Sequence, residues 1–494
     1  MLKSIKQSFL IVFLVFVSTS NIFSQQSKIP SNTQNLYRKK VLNIFNIAGY
    51  NEIDKKKFNI SYNYEFIKNT KHSNVDNNAE FFSPSQNSQL ISARYEFSFS
   101  WIKIEFEPYI IKHENFFEET TLEDTWKNVN NHISTNFSNI QQGLKQSRII
   151  LHYKGVGISY GMMSHWWSPA LHSSIALSSN APSQETFSFG TYNDINYNKS
   201  SFGFNVIVMP YKSNNDSQLY FSGLRAHIKY YSNPQITLGF YRTFLSGNFN
   251  NEKSESPSLA TWSINDATRL VFEPLFGQNK VGLNYTAPNT PGFDAWDQIL
   301  SGFIVFDFPK DKLRLFFELA SDDNRGNITD LRAHWDHTLG YNIGFHKFID
   351  FNSSRLFFSS EYLNTVITNT NNPSFYRGDP SAANFYIYNS FDYFTYNSRR
   401  MGAHSGSSSD DLIFILGFQK LNDILLFTFN MERHGIKYMK YPELKNELSI
   451  ILNRKFRDKH SLTLTLEYEK IYNFAYKSNI SISKLFWLSY SFSI

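Results

Sequence analysis

Apolar and polar residues alternate with a period of two over many short stretches of this chain. The first such stretch places one set of side chains on one face: Phe58, Ile60, Tyr62, Tyr64 and Phe66. Asn59, Ser61, Asn63 and Glu65 lie on the other face. The last stretch repeats this pattern, with Ile482, Phe486, Leu488, Tyr490, Phe492 and Ile494 opposite Ser481, Ser483, Ser489, Ser491 and Ser493. A period of two is typical of β-strands with one apolar face.

The pattern predicts eighteen strands, at 58–66, 90–99, 101–110, 147–153, 156–163, 185–197, 201–211, 218–231, 235–246, 297–308, 313–321, 338–348, 354–366, 411–419, 423–432, 446–454, 460–471 and 481–493. Odd-numbered connections are loops, often long, and even-numbered ones are tight turns such as Lys154-Gly155. The chain is therefore predicted to be all-β, a transmembrane antiparallel up-and-down β-barrel with short periplasmic turns. The long loops, on the outer side, fall at 111–146, 164–184, 247–296 and 367–410.

The composition favours a barrel over other classes. Aromatic residues make up 17% of the chain, yet its mean hydropathy is only −0.37. A barrel wall contacts lipid with alternate residues only, so it is polar on average and rich in aromatic girdles. A large secreted β-sandwich or solenoid is the alternative, but it would not separate long and short connections in this way.

Charge and cysteine content limit the binding partners and the covalent chemistry that can be expected. The formal net charge of +6 falls to +4 without Lys3 and Lys6, which is too small to indicate binding to nucleic acid. The chain has no cysteine, so disulfides, acylation of a lipoprotein cysteine and thiolate chemistry are excluded. The expected surroundings are outer-membrane lipid, and a monomer is expected.

Three regions are predicted along the chain. Residues 1–24 resemble a signal peptide, with Lys3 and Lys6 before an apolar run too short to span a bilayer. Residues 25–57 form a periplasmic segment with a short helix at about Leu36–Gly49; an interfacial helix or a disordered lead is the alternative. Residues 58–494 form the barrel, so the predicted location is the cell outer membrane.

Several motifs resemble a known family. The segment 161–182 contains His165-Trp166-Trp167-Ser168-Pro169, and later segments read Glu361-Tyr362-Leu363-Asn364-Thr365 and, at 396–404, YNSRRMGAH. Together with the stretch at Leu36–Gly49, they resemble the signature segments of capsule assembly proteins of the Wzi family and occur in the same order. The match is incomplete, because Ser168-Pro169-Ala170 replaces a glycine-rich G-P-G. The resemblance implies an 18-stranded outer-membrane lectin that attaches capsular polysaccharide to the cell surface, with a helical plug at the periplasmic end.

The candidate glycan-binding residues lie in two of these segments: His165, Trp166, Trp167, Arg399, Arg400 and His404. Indole rings stack on the apolar face of a pyranose and keep an N–H for donation, and arginines suit an acidic glycan. Alternatively, the tryptophans belong to an aromatic belt or pack their loop against the wall, and the arginines form salt bridges in the lumen. The two segments can meet only if the long loops fold inward over the lumen.

Other chemistry has weaker support. Asp322, Asn324, Gly326 and Asp330 are spaced faintly like a calcium loop but without a bidentate Glu. His334 and His337 precede a strand, and no G-x-S-x-G nucleophile motif occurs. The sequence therefore predicts no enzyme, no cofactor and no metal site, although an outer-membrane lipase stays open. The alternative functions are a porin or substrate-specific channel, or an outer-membrane component of a surface motility or secretion machinery.

Overall fold

A computed structural model describes residues 58–71, 76–78, 81, 85–117, 138–192, 194–212, 218–247, 297–322, 339–366, 385–386, 394–397, 399–437, 439–456 and 459–494. The β segments, numbered in chain order, are β1 (Phe58–Asn69), β2 (Ser85–Ser98), β3 (Ile102–Phe106), β4 (Pro108–Phe116), β5 (Ile140–Leu144), β6 (Ser147–Tyr153), β7 (Val156–Met163), β8 (Gln184–Thr191), β9 (Ile195–Tyr197), β10 (Ser200–Lys212), β11 (Gln218–Tyr230), β12 (Gln235–Gly247), β13 (Asp297–Phe308), β14 (Leu313–Asp322), β15 (Leu339–Phe351), β16 (Ser354–Asn364), β17 (Thr395–Tyr396), β18 (Arg399–Arg400), β19 (Asp410–Lys420), β20 (Asp423–His434), β21 (Glu443–Phe456), β22 (His460–Tyr472) and β23 (Ile480–Ser493). A short 3-10 helix, Phe474–Tyr476, precedes β23.

The sheet closes on itself, because β1 pairs with both β2 and β23. Three barrel strands are each interrupted once, so that β3 and β4 are parts of one strand, β5 and β6 of another, and β8 and β9 of a third. The result is a closed antiparallel barrel of 18 strands, as the sequence predicted. β17 and β18 pair only with each other, as a small ribbon within the connection between β16 and β19.

Long and short connections alternate around the barrel, which confirms the predicted parity. The short side includes the turns 154–155, 309–312 and 421–422, and the long side includes 164–183, 248–296 and 365–409. The predicted loop at 111–146 is wrong at both ends, because β4 continues to Phe116 and β5 begins at Ile140. β2 likewise begins at Ser85 rather than at 90. These strand extensions are mostly polar, so they lack the apolar alternation used to find strands.

The barrel wall carries its apolar side chains on the outside and its polar side chains on the inside. On β22, Leu466 and Tyr468 are exposed, whereas the alternating Thr465, Glu467 and Glu469 are buried in the interior. Phe486 and Tyr490 continue the exposed set on β23, as predicted. A wall that contacts lipid on one face and a polar interior on the other requires this arrangement.

The interior contains a core made by loops and wall together. Side chains from the connections 164–183 and 365–409 form one buried hydrophobic cluster with residues of β10 to β14 and of β16, including Phe221, Tyr241 and Phe316. Within the described ranges, no helix is long and apolar enough to cross a membrane. The predicted signal peptide, the periplasmic helix and its implied plug, and the segment with His334 and His337 lie outside the described residues.

Candidate functional site

Residues 164–183, which we name the Trp loop, leave β7 and turn into the barrel. Nearly all of them are buried. Trp167 is 1% exposed and packs against Tyr241 of β12, with ring centroids 6.1 Å apart. A Cβ atom on Gly223 of β11 would lie 2.7 Å from the Trp167 ring, so the wall has a glycine where the indole approaches it. The indole N–H of Trp166 donates to the backbone oxygen of Ala170 over 2.8 Å, which leaves it bonded within the loop.

The Trp loop is bound to the far side of the lumen by buried carboxylates. The backbone N–H groups of Leu171 and His172 each donate to one oxygen of Glu361 on β16, and each N···O distance is 2.8 Å. The hydroxyl of Ser168 donates to Glu318 on β14. Buried backbone donors must be paired, and a carboxylate accepting two of them makes strong charge-assisted bonds. The loop therefore crosses the lumen from β7 and β8 to β16.

Residues 365–409, which we name the Arg loop, contribute the second part of the interior. Arg400 lies with its guanidinium carbon 4.8 Å from the centre of the Tyr386 ring, a cation–π geometry. It also donates to the backbone oxygen of Tyr386 over 3.2 Å. Arg399 donates to the side-chain oxygen of Asn180 in the Trp loop over 2.9 Å. Burial lowers the pKa of Arg399 to about 10, against the attraction of Asp76.

The Trp loop and the Arg loop meet inside the barrel. The backbone N–H of Ser178 donates to the backbone oxygen of Met401 over 2.7 Å, and the Asn180 amide donates to that of Arg400 over 3.0 Å. The Tyr386 hydroxyl donates to the backbone oxygen of Ile175. The two family-like segments, distant along the chain, are therefore brought together by inward folding, the one arrangement in which the sequence allowed them to meet.

His165 lies at the β8 side of this interior. Its Nε2 atom is 3.3 Å from the hydroxyl of Thr186. Burial, with a further contribution from Arg148, lowers the pKa of His165 to about 3. The ring is consequently neutral at physiological pH.

All six candidate glycan-binding residues are buried, with exposed fractions between 1% for Trp167 and Arg400 and 7% for His165. Their side chains bond to the loops and the wall rather than lying on an exposed surface. Loop packing, one of the alternatives that the sequence left open for the tryptophans, matches their surroundings. That the six residues bind glycan stays a prediction.

A cluster of four titratable residues lies where both loops reach β19 and β20. His172 comes from the Trp loop, His404 from the Arg loop, Asp411 from β19 and Glu432 from β20, and all four are buried. One ligand atom of each lies within 4.8 Å of the others. The sequence indicated only His404 as a functional candidate. Asp411 and Glu432 are directly opposite each other across the β19–β20 hairpin, a pairing that the predicted strands 411–419 and 423–432 could have indicated. No sequence pattern places His172 beside them.

Polar groups surround this cluster closely. The hydroxyl of Ser173 donates to Asp411 over 2.7 Å, and the Asn430 amide donates to its other oxygen over 2.7 Å. Lys445 contacts Glu432 over 2.9 Å and also bonds to Asp76. Burial alone would lower the pKa of His172, but the carboxylate of Asp411 raises it to about 9.

The fold and interior define a class, an 18-stranded β-barrel of the outer-membrane type with long connections packed into its lumen. The chain is similar to a solved structure described as Wzi of Escherichia coli, an outer-membrane protein involved in group 1 capsule assembly and a carbohydrate-binding β-barrel. The TM-score is 0.58 at 10% identity, over 92% of this chain and 88% of that one.

Other solved structures are similar with lower scores. OccAB4 of Acinetobacter baumannii has a TM-score of 0.42 at 10% identity, over 90% of this chain and 100% of that one. OccK8 (OprE) of Pseudomonas aeruginosa has a TM-score of 0.44 at 10% identity, over 90% and 98%. No protein-family model and no curated protein sequence matches the chain. At these identities the comparisons establish the fold alone.

Proposed function

We propose that the protein is a monomeric, non-enzymatic outer-membrane barrel that binds capsular or surface polysaccharide and attaches it to the cell. The observation that carries this proposal is the joining of the Trp loop and the Arg loop inside the barrel. These are the two long connections whose sequences resemble Wzi-family segments. The described part of each is mostly buried and bonded to the wall, which suits a fixed platform for a large ligand.

The crossing of the lumen favours attachment over transport. An 18-stranded barrel is wide enough for an aqueous channel. Here the Trp loop spans the interior from β8 to Glu361 on β16, so a wide solute path and this loop would need the same space. A substrate-specific channel is the second function that the fold allows, and the experiments below distinguish it.

We assign the six buried candidates a positioning role in glycan binding. Direct stacking would require Trp166 or Trp167 to leave the interior, whereas their present contacts hold the loops in place. In the connection 435–442, which joins β20 to β21 on the same side as the long connections, Tyr441 offers a ring that is 38% exposed, with the amine of Lys440 5.2 Å from its centre. An aromatic face beside a cation suits an acidic sugar, so we place the contact surface on the outer rim of the loops.

The attachment function is tested by deleting the protein from its native cell. Polysaccharide synthesis should continue, while the polymer moves from the cell pellet to the medium. Unchanged retention together with impaired uptake of small solutes would favour the channel instead.

Point variants test the assignment of the site. Trp166→Ala and Arg400→Ala should weaken polysaccharide retention while the barrel still assembles and migrates faster on gels when unboiled. Tyr441→Ala should weaken retention by removing a stacking contact, on the order of 1 kcal/mol, and Tyr153→Ala, at the short-turn side, is the matched control. If all three loop variants assemble and retain polysaccharide like the wild type, the loops are not the binding surface.

A further inference from the structure

The cluster of His172, His404, Asp411 and Glu432 has the geometry of a metal site. The His172 Nε2 atom lies 3.1 Å from Asp411 Oδ2. The His404 Nε2 atom lies 3.4 Å from the same oxygen and 3.5 Å from Glu432 Oε1. Ligand atoms around a tetrahedral zinc ion with bonds of about 2.0–2.1 Å are separated by about 3.3–3.4 Å. These three separations bracket the spacing that zinc needs, and all four ligand atoms lie within 4.8 Å of one another, so small side-chain shifts would complete the shell.

We propose that these four residues bind one divalent first-row transition metal ion, with Zn²⁺ the expected occupant. Two imidazoles and two carboxylates form a ligand set that suits zinc. Calcium and magnesium prefer six or more oxygen ligands, which this half-nitrogen set does not offer. Because all four residues are buried, the site is closed and structural.

The local charge balance also suits a divalent cation. Asp76, Asp411 and Glu432 are three carboxylates, and Lys445 is the amine that contacts two of them. The same amine lies 3.8 Å from Glu447 and 3.9 Å from Glu469, so carboxylates outnumber cations around the cluster. A divalent ion bound by neutral histidines would offset this excess of negative charge. On the far side, His434 bridges Glu432 and Glu443 and, when protonated, cancels the charge of Glu443.

The surrounding hydrogen bonds can orient the ligands. Two groups lie near His404 Nδ1: the Asn77 amide nitrogen at 3.2 Å and the Ser173 hydroxyl, which also donates to Asp411, at 3.4 Å. When Nε2 binds the ion, Nδ1 carries the proton and the Ser173 oxygen can accept it, while the Asn77 amide nitrogen gives up its contact with Nδ1. Such outer bonds fix the tautomer of a metal-bound histidine. The Asn430 amide lies 2.6 Å from His172 Nε2 and also bonds to Asp411. Metal binding would end its contact with His172 and retain its bond to Asp411.

The ion would bind the two loops to the wall at one point. Its four ligands come from the Trp loop, the Arg loop, β19 and β20, and a bound ion stabilises the state that presents all of them. This inference concerns the structure of the interior and stands independently of the proposed glycan function.

The test measures metal in the whole protein, purified in detergent. After stripping with chelator, incubation with Zn²⁺ and gel filtration, elemental analysis should find one zinc ion per wild-type chain. Asp411→Asn and His404→Gln should lose it. His227→Gln should retain it, because His227 is a buried histidine paired with Asp194 over 3.0 Å at another position in the barrel. Chelator should lower the temperature at which the folded gel band disappears for the wild type but not for His404→Gln.

Two results would overturn the proposal: a wild-type protein that retains no zinc, or ligand variants that retain as much as the wild type. If the variants fail to assemble, X-ray absorption spectroscopy of the zinc-loaded wild type decides the question. Two imidazole and two oxygen ligands are expected, and a shell without imidazole would refute the site.

Discussion

Gly223 and Trp167 share one space between the wall and the Trp loop. Trp167→Ala should cost about 3–5 kcal/mol, because it empties a buried site. Gly223→Ala should cost about 1–3 kcal/mol by overpacking, since its new Cβ would lie 2.7 Å from the indole ring. In the Trp167→Ala background the second change should cost less, which urea titration of the folded gel band would reveal as non-additivity.

Gly302→Ala is the control for this pair. A Cβ at Gly302 would have its nearest neighbour 3.9 Å away, so little loss of stability is expected. Strictly additive effects of the Gly223 and Trp167 substitutions would contradict the proposed contact.

His165 makes the stability of the folded protein depend on pH. Its pKa is about 3 in the folded protein, against an unperturbed value of 6.5. Between these values the unfolded chain binds a proton that the folded one does not, so the stability present above pH 6.5 declines as the pH falls. At pH 5 the loss is on the order of 2 kcal/mol. His165→Gln should remove this part of the difference in unfolding free energy between pH 7 and pH 5. If the variant loses as much stability as the wild type over this range, His165 is not the group responsible.

Gly402 sets the distance between the two loops. A Cβ at this position would lie 2.3 Å from the backbone oxygen of Ile175 and 2.7 Å from the Tyr386 hydroxyl. Gly402→Ala should therefore separate the Trp loop from the Arg loop while every strand pairing remains. Limited proteolysis of the assembled protein should then cut within 164–183, where the wild type resists. Equal resistance of the variant and the wild type would show that the loops accommodate the methyl group.

The strands were predictable wherever lipid imposes a period of two, as at Phe486 and Tyr490. The extensions of β2, β4 and β5 were not, because residues such as Gln89, Lys112 and Gln141 continue the hydrogen-bonded ladder without an apolar face. Hydrogen bonding by the backbone requires no particular side chain. Alternation of apolar and polar residues therefore marks only the part of a strand whose outer face must be apolar.

The sequence could predict which two segments belong to the candidate site, but not that both are buried inside the barrel. The sequence indicated Trp167 and Arg400 through motif resemblance, yet their burial depends on acceptors such as Glu361, which lies on another strand. Asp411 and Glu432 face each other across the β19–β20 hairpin, which the predicted strands 411–419 and 423–432 could have indicated. Only the closed barrel with its inward-folded loop places His172 beside them. Proximity of this kind arises from topology, which a linear pattern does not encode.

The whole barrel should conduct poorly while the Trp loop is in place. Replacing residues 168–179 by a flexible glycine-serine segment should leave the strand ladder intact and raise single-channel conductance in a planar bilayer, since the interior would fill with water. The same replacement at 213–217 is the control and should leave conductance near that of the wild type. If both proteins conduct equally, the Trp loop does not limit the path.

The hydrogen bonds of the Trp loop imply an order of assembly. The loop follows β7, but Glu318, Glu361 and Asp411, which bind it, lie on β14, β16 and β19. These partners are in place only after β14, β16 and β19 have joined the sheet and the sheet has curved toward closure. Docking of the Trp loop therefore cannot be completed before these strands are in place, and we expect a hollow barrel with undocked loops as an assembly intermediate. Substitutions confined to those carboxylates should arrest the protein at that hollow stage, as inserted barrels with undocked loops rather than as unfolded chains.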